Sequence, residues 1–427
     1  PDEATQFMIN VQQRLFGIGA QLRDDLNGFT IIKMIEGGPA ANSKEMKNKD
    51  RIIAVDGEPV VGMDIVDAVD LIRGAENTPV KLTIIREIGE DGEKKEDKLD
   101  ITLKRAQVVL KETRYEATFE PFGDGVIAYL RLYSFYQDPD SSSADDLAQA
   151  LEKLKADHNV KGVIFDLRTN SGGLLTQAVS VTGLFITKGV VVSIKDDTGA
   201  IQHLRELDST IAWDGPLIVL INRASASASE IVTGTLQDYG RAIVVGDDHT
   251  FGKGSFQTFT LNTTAKNEAV NPQGEYKVTR GRYYTVAGTT PQLIGVASNI
   301  YVPGVLSESD IGEKFAKYPL GSDSIEPSFD DNLSDIPYLQ RDRIKMLYKF
   351  GLQPQLHTYD KYMEQLKKNS AIRIENNKSY QKFIKELKKQ GDVDEEVSEE
   401  VQNDLQLAET ENIMRDLLYL MHETKPK

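Results

Sequence analysis

Leu217-Ile-Val-Leu-Ile-Asn-Arg-Ala-Ser-Ala-Ser-Ala-Ser-Glu230 is the stretch on which the fold turns. Leu217–Ile221 is a short continuous apolar run that reads as a strand. The Ala/Ser run ends that strand, and Ser227 opens an amphipathic stretch read as a helix. Ile243-Val-Val245 follows as a second strand, and then comes Thr250-Phe-Gly-Lys253-Gly254. Strand, helix and strand in this order predict a β-α-β unit of a layered sheet.

The same alternation extends towards the N-terminus. Gly125-Val-Ile-Ala-Tyr-Leu130 reads as a strand, and Ser142 and Ser143 can cap a helix whose face carries Leu147, Leu151 and Leu154. Val163-Ile-Phe-Asp-Leu167 is a further strand, followed by the loop Arg168-Thr-Asn-Ser-Gly-Gly173 and a helical pattern from Leu174 to Phe185. In such sheets functional loops gather at the carboxyl ends of the strands, where Gly172, Gly173 and Ser227 all fall. Residues 15–107 form a separate unit by pattern. Leu15–Leu22 and Phe29–Ile35 read as strands, Asp50–Gly57 as a strand with a turn, Asp64–Arg73 as a helix stopped by Gly74, and Val80–Ile85 as a closing strand. The charged run from Glu87 to Lys98 is expected to be a hairpin loop or a solvated edge. Residues 306–427 are rich in Lys, Glu, Asn and Gln and carry helical spacing in Ile344, Leu347 and Tyr348 and in Ile413, Leu417 and Leu418. They are expected to be helices packed on the core; a dimer or adaptor surface is the alternative.

The chain has 427 residues, 40 % hydrophobic and 27 % charged, which suits a multidomain globular protein. A net charge of −16 argues against nucleic acid and anionic membrane as main partners. No apolar run reaches the roughly 18 residues of a membrane span. The absence of cysteine excludes disulfides and thiolate metal sites, and the five histidines form no HExxH pair, so neither a metal nor a cofactor is expected. The chain opens on Pro1 without a leader-like run and is expected to be a processed or trimmed form.

Ser227 and Lys253 are the residues with chemistry to offer. A serine at a helix start lies beside unpaired N–H groups that can also hold an oxyanion. Ser227-Ala-Ser-Glu230 equally has the spacing of a capping box, a purely structural device. Lysine can serve as the base for a serine in place of histidine. It must then lose its proton well below its ordinary pKa of about 10.4, and burial lowers it because the ammonium loses hydration. Phe251 and Phe256 could supply that setting, and Gln257 could accept a hydrogen bond from the amine. Exposed N–H groups of Gly172-Gly173 could complete an oxyanion hole with that of Ala228; a tight strand-to-helix turn explains the glycines as well. Asp166 and Arg168 fit a structural ion pair, and Asp238 either faces the site or lies in solvent. Neither the Gly246–Lys253 segment nor Phe16-Gly-Ile-Gly19 has the spacing of a phosphate-binding or dinucleotide loop, and no GxSxG is present.

Together, Asp166-Leu-Arg-x-Asn-x-Gly-Gly173, Ser225-Ala-Ser-Ala-Ser-Glu-Ile231, Gln237-Asp-Tyr-Gly-Arg241, Val245-Gly246 and Thr250-Phe-Gly-Lys-Gly254 resemble the carboxy-terminal processing peptidases, the tail-specific proteases among them. The resemblance covers roughly residues 14–320. It implies an α/β, crotonase/ClpP-like layered protease core (108–305) carrying an inserted PDZ domain (15–107) and a C-terminal helical region (306–427), with residues 1–14 as the remnant of an N-terminal helical region. It implies a Ser–Lys endopeptidase with Ser227 as nucleophile, Lys253 as general base and Gln257 orienting the lysine. Gly172 or Gly173, with Ala228, would form the oxyanion hole, and Glu230, Asp238 and Thr250 would be supporting residues. Phe16, Gly17, Ile18 and Gly19 match the PDZ loop that captures a free C-terminus. A peptide would add beside Ala20-Gln-Leu22, with its last side chain against the helix at 64–73, which suits apolar tails ending like Leu-Ala-Ala. The implied partners are protein substrates with such tails and an adaptor protein, with a homodimer also compatible; the implied location is the periplasm or another exported site. The alternative is a catalytically inactive PDZ-based binding or scaffold protein, motivated by a lysine loop, Asp247-Asp-His249, one residue longer than the family's usual one.

Overall fold

The computed structural model describes Ile9 and residues 14–88, 95–109, 114–208, 210–259, 277–389 and 404–423. The expected remnant at 1–14 lies outside them except for Ile9 and Arg14. The chain divides into two compact units, one of residues 6–113 and one that takes in Arg114 onward.

In the first unit β1 (Arg14–Gly17), β2 (Ala20–Asp25), β3 (Gly28–Met34), α1 (Pro39–Ser43), β4 (Arg51–Val55), β5 (Glu58–Pro59), α2 (Ile65–Ile72), β6 (Pro79–Ile88), β7 (Lys95–Lys104) and β8 (Ala106–Val109) follow in order. The expected strand over Leu15–Leu22 is two strands. Gly19 adopts φ 71°, so the chain turns there, and β1 leaves to pair with β8 while β2 pairs with β3. Residues 89–94 of the charged run lie outside the described residues; on either side of them Ile88 pairs with Lys95, and β7 continues along the sheet edge with its charges in solvent. Period-2 alternation tolerates this on an outer strand. Phe29, Ile31, Ile52, Val80, Leu82, Ile84, Ala68 and Ile72 form the core of the unit.

The second unit is built on β9 (Tyr115–Phe122), β10 (Gly125–Leu132), α3 (Ser143–Asp157), β11 (Val160–Asp166), α4 (Leu175–Gly183), β12 (Gly189–Asp196), β13 (Ile201–Glu206), β14 (Leu217–Ile221), α5 (Ala228–Asp238), β15 (Ile243–Gly246), β16 (Ser255–Phe259), β17 (Lys277–Tyr284) and β18 (Ile300–Tyr301). A six-stranded sheet runs in the order β18-β15-β14-β11-β10-β9, parallel except at β9. A second, four-stranded sheet runs β13-β12-β17-β16 and is antiparallel.

The apolar run that opened the sequence reading is buried on both faces. Leu217, Val219 and Ile221 join a core shared with α3, α4 and α5, whereas Ile218 and Leu220 join a second core on the other face. Each such side chain removed from water contributes about 1.5–3 kcal/mol. The second core is closed by α7 (Asp360–Asn376), α8 (Lys378–Lys389) and α9 (Leu405–Glu423), through Tyr362, Leu366, Phe383, Ile413 and Leu417. The C-terminal helices are therefore a layer of the core unit. They begin at α6 (Tyr338–Tyr348), later than the 306 expected. Residues 306–337 are irregular apart from one 3-10 turn at Glu313–Phe315, a stretch punctuated by Gly312, Pro319, Gly321, Pro327 and Pro337. No helix among the described residues is long and apolar enough to cross a membrane.

Candidate active site

The β14–α5 turn presents one serine of three. Ser225 is buried, and its hydroxyl donates to the Leu167 carbonyl at 2.8 Å. Ser229 is buried and donates to the Asn170 carbonyl at 2.8 Å. Ser227 alone is half-buried, and its backbone adopts φ 56° and ψ −113°. A non-glycine residue in that region is strained and persists only when its surroundings hold it.

Glu230 does much of the holding. Its carboxylate is fully buried and accepts four hydrogen bonds. Oε2 takes the N–H of Ser227 at 2.8 Å and the N–H of Lys253 at 2.9 Å. Oε1 takes the Thr250 hydroxyl at 2.5 Å and the N–H of Gly252 at 2.6 Å. One carboxylate thus staples the serine turn to the lysine loop. Burial pushes its pKa up to about 7, against the pull of these four donors.

The lysine loop is shaped by its glycines. Gly252 has φ 93°, and a Cβ at Gly254 would come within 2.3 Å of Thr290 Oγ1. Lys253 is half-buried. Burial lowers its pKa, Lys277 lowers it further, and Glu313 and Glu230 oppose them. Among the described residues no hydrogen bond joins Ser227 Oγ to Lys253 Nζ, and none joins Lys253 to Gln257. Gln257 lies half-buried on β16, opposite Thr279.

The β11–α4 loop closes the third side. Asn170 anchors it: Nδ2 donates to the Leu132 carbonyl at 2.8 Å, and the Asn170 carbonyl takes the N–H of Ala226 at 2.9 Å. Gly172 has φ 106°, and a Cβ there would lie 2.8 Å from Ser227 Cβ and 3.0 Å from the Ala228 nitrogen. Its own N–H is engaged by Asn170 Oδ1 at 2.9 Å. Among the described residues the N–H groups of Gly173 and Ala228 have no protein acceptor. Asp238 is elsewhere. It ends the 11-residue α5, roughly 16 Å along the axis from Ser227, where it takes the Thr285 hydroxyl and the Ala287 N–H.

Asn170 and Tyr283 are site residues to which the sequence reading assigned no role. Asn170 stood in the quoted loop, where its side chain could be read only as one more polar group. Tyr283 lies on another sheet and carries no local signal.

In the first unit the Ile18 carbonyl takes the Ala40 N–H at 2.7 Å and that of Gly19 takes the Ile35 N–H at 2.9 Å. The N–H groups of Ile18 and Gly19 have no protein acceptor among the described residues. Phe16 and Gly17 belong to β1. β2 is an edge of its sheet, and Val66 on α2 is 63 % exposed beside buried Ala68 and Ile72.

Residues 126–302 match the model of Peptidase family S41, and residues 5–85 that of the PDZ domain. The chain carries a Peptidase family S41 domain and a PDZ domain. It is 34 % identical over 344 residues to the tail-specific protease of Haemophilus influenzae, covering 79 % of this chain and 48 % of that one. To the carboxy-terminal-processing protease of Bartonella bacilliformis it is 34 % identical over 303 residues, covering 71 % and 63 %. A solved photosystem II D1 C-terminal processing protease is 27 % identical over 68 % of this chain and 73 % of its own, with a TM-score of 0.38. The chain thus spans about half to two thirds of the length of the two curated relatives.

Proposed function

We propose that this chain is a serine endopeptidase that captures apolar C-terminal tails in its PDZ domain and cleaves the tailed protein with a Ser–Lys dyad. The observation that carries this reading is the Glu230 carboxylate, bonded at once to the N–H groups of Ser227 and Lys253. Lys253, its pKa lowered by burial, takes the proton of Ser227 Oγ as that oxygen attacks the scissile carbonyl. The N–H groups of Gly173 and Ala228 take the developing oxyanion, and Gly172 lets the two loops approach. The lysine then protonates the leaving amine, and water resolves the acyl-enzyme. Closing the dyad requires Nζ and Oγ to come within about 3 Å, with Gln257 orienting the amine. Tail capture uses the N–H groups at Ile18 and Gly19 for the carboxylate and the open edge of β2 for strand addition. The expected setting is an exported one.

The test uses an unstructured reporter protein ending in Leu-Ala-Ala. Ser227→Ala and Lys253→Ala should each abolish cleavage while tail-peptide binding persists. Full activity in either variant defeats the dyad. Tail binding by the unmodified chain with no turnover after long incubation selects the scaffold reading instead.

A further inference from the structure

Ser227 and Lys253 are gripped on both sides of their backbone. Glu230 holds both N–H groups. The carbonyls of the same two residues meet a different side chain, Tyr283 on β17, which is 1 % exposed. Its hydroxyl donates towards the Ser227 carbonyl at 3.1 Å and towards that of Lys253. Its backbone N–H donates to the Gly254 carbonyl at 2.8 Å. One phenol proton therefore lies between two carbonyls, and the oxygen that carries it is fixed by a ring embedded in the core.

We propose that Tyr283 is a positioning residue for the peptidase reaction: its hydroxyl bridges the carbonyls of Ser227 and Lys253 and so sets the distance that Oγ and Nζ must close. The inference rests on the reading of those two residues as nucleophile and base. Ser227 occupies a backbone region that needs restraint. Its carbonyl also takes the N–H groups of Glu230 at 2.8 Å and Ile231 at 3.0 Å, and the Phe251 N–H ties the lysine loop to the Ser225 carbonyl at 2.9 Å, but among the described residues only the Tyr283 hydroxyl joins the Ser227 carbonyl to that of Lys253. Without that bridge the two carbonyls are no longer held against each other, and the loop can shift relative to the turn. A displacement of about 1 Å costs on the order of a hundredfold in rate. Burial keeps the phenol neutral and able to donate.

Tyr283→Phe removes the bridge and leaves the ring in place. In the full chain, with the Leu-Ala-Ala-tailed reporter and turnover counted per active site titrated with a serine-phosphonylating phosphonofluoridate, kcat should fall about ten- to a hundredfold. KM should stay within twofold, since tail capture is untouched. The losses from Tyr283→Phe and Glu230→Gln should fall short of multiplying in the double variant, because both side chains restrain the same pair of residues. Incorporation of 3-fluorotyrosine at 283, which retains the hydroxyl, should return kcat to within twofold of the unmodified chain. A purely structural tyrosine would lower Tm and the number of titratable sites and leave kcat per site unchanged. That result, or failure of the fluorotyrosine variant to recover, overturns the inference. Ser227→Ala and Lys253→Ala run alongside. If either retains activity, the dyad reading itself fails; if both are dead while Tyr283→Phe turns over normally, only the positioning role fails.

Discussion

Glu230→Gln separates what the buried carboxylate does for stability from what it does for chemistry. The amide is nearly isosteric, but only one of its two terminal atoms accepts. Two of the four donors, drawn from the N–H groups of Ser227, Lys253 and Gly252 and the Thr250 hydroxyl, would then face an NH2 group. A buried donor left without its acceptor costs about 1–3 kcal/mol, so the pair costs roughly 2–6 kcal/mol. Against this, the unmodified chain carries a buried charge. Its pKa, raised from 4.5 to about 7, means that folding disfavours the carboxylate relative to the acid by about 3 kcal/mol. The folded pKa exceeds the unfolded one, so Glu230's stabilising contribution is full below about 4.5 and is lost as pH rises through about 7. At pH 8 the two effects largely cancel, and the variant should lie between about 1 kcal/mol more stable and 3 kcal/mol less stable. At pH 5 the unmodified chain has taken up its proton, and the deficit of the variant should be larger by about 3 kcal/mol. Trp213, the one tryptophan of the chain, is buried in the core unit, so its fluorescence follows urea unfolding of that unit. Turnover at pH 8 should nonetheless fall on the order of a hundredfold, because the staple between the serine turn and the lysine loop is broken. An equal stability deficit at pH 5 and pH 8 would refute the burial argument, and unchanged turnover would refute the staple.

Two further outcomes follow from the same geometry. Gly19→Ala places a Cβ 3.0 Å from Gly38 Cα at φ 71°, so tail-peptide affinity measured by calorimetry should drop at least tenfold while phosphonylation of Ser227 by a small phosphonofluoridate continues. Unaltered affinity would remove the loop from the capture site. Asp404→Asn weakens the fork in which Arg168 Nη1 and Nη2 donate to Asp404 at 2.8 and 2.6 Å. Burial pushes the Asp404 carboxyl up, but the Arg168 hydrogen bond and charge hold it below its ordinary value. The stability lost should therefore be seen at neutral pH and vanish as pH falls through that lowered pKa; chemical denaturation at pH 7 and below pH 3 checks it.

The α/β order was legible because each core strand is a short apolar run whose alternate residues serve two faces, as in Leu217–Ile221. What that pattern could not report was what lay on the second face. The helices that cover it are polar over most of their length, and Tyr362, Leu366, Tyr380, Phe383, Leu387, Ile413, Met414 and Leu417 form their inward stripe. The Ser227 turn was legible for its small residues, since neighbouring loops approach within contact distance of it. Its strain was not, because φ is fixed by Glu230 and by the packing of Gly172, both matters of tertiary structure. Among the flanking serines, only the hydrogen bonds of Ser225 and Ser229 reveal that they are structural.

The C-terminal helices also reach the stems of the loops around Ser227. Arg168 immediately precedes the loop that carries Asn170, Gly172 and Gly173. Its guanidinium is shared between Asp166 and Asp404, the latter just ahead of α9. Two residues further, Gln406 donates to Asp247 Oδ1 at 3.0 Å and to the Val302 carbonyl at 2.8 Å. Asp247 in turn takes the Ser307 hydroxyl at 2.6 Å and the Arg223 N–H at 3.0 Å, and it lies on the segment that leads to Lys253. The start of α9 therefore touches the stem of the β11–α4 loop and the stem of the lysine loop at once. Arg168, Gln406 and Asp247 are buried, where an unmet partner is costly, while Asp404 is exposed, so the Gln406 contacts carry most of the registration. The layer that completes the second core thus also ties together the stems of the two loops that flank Ser227.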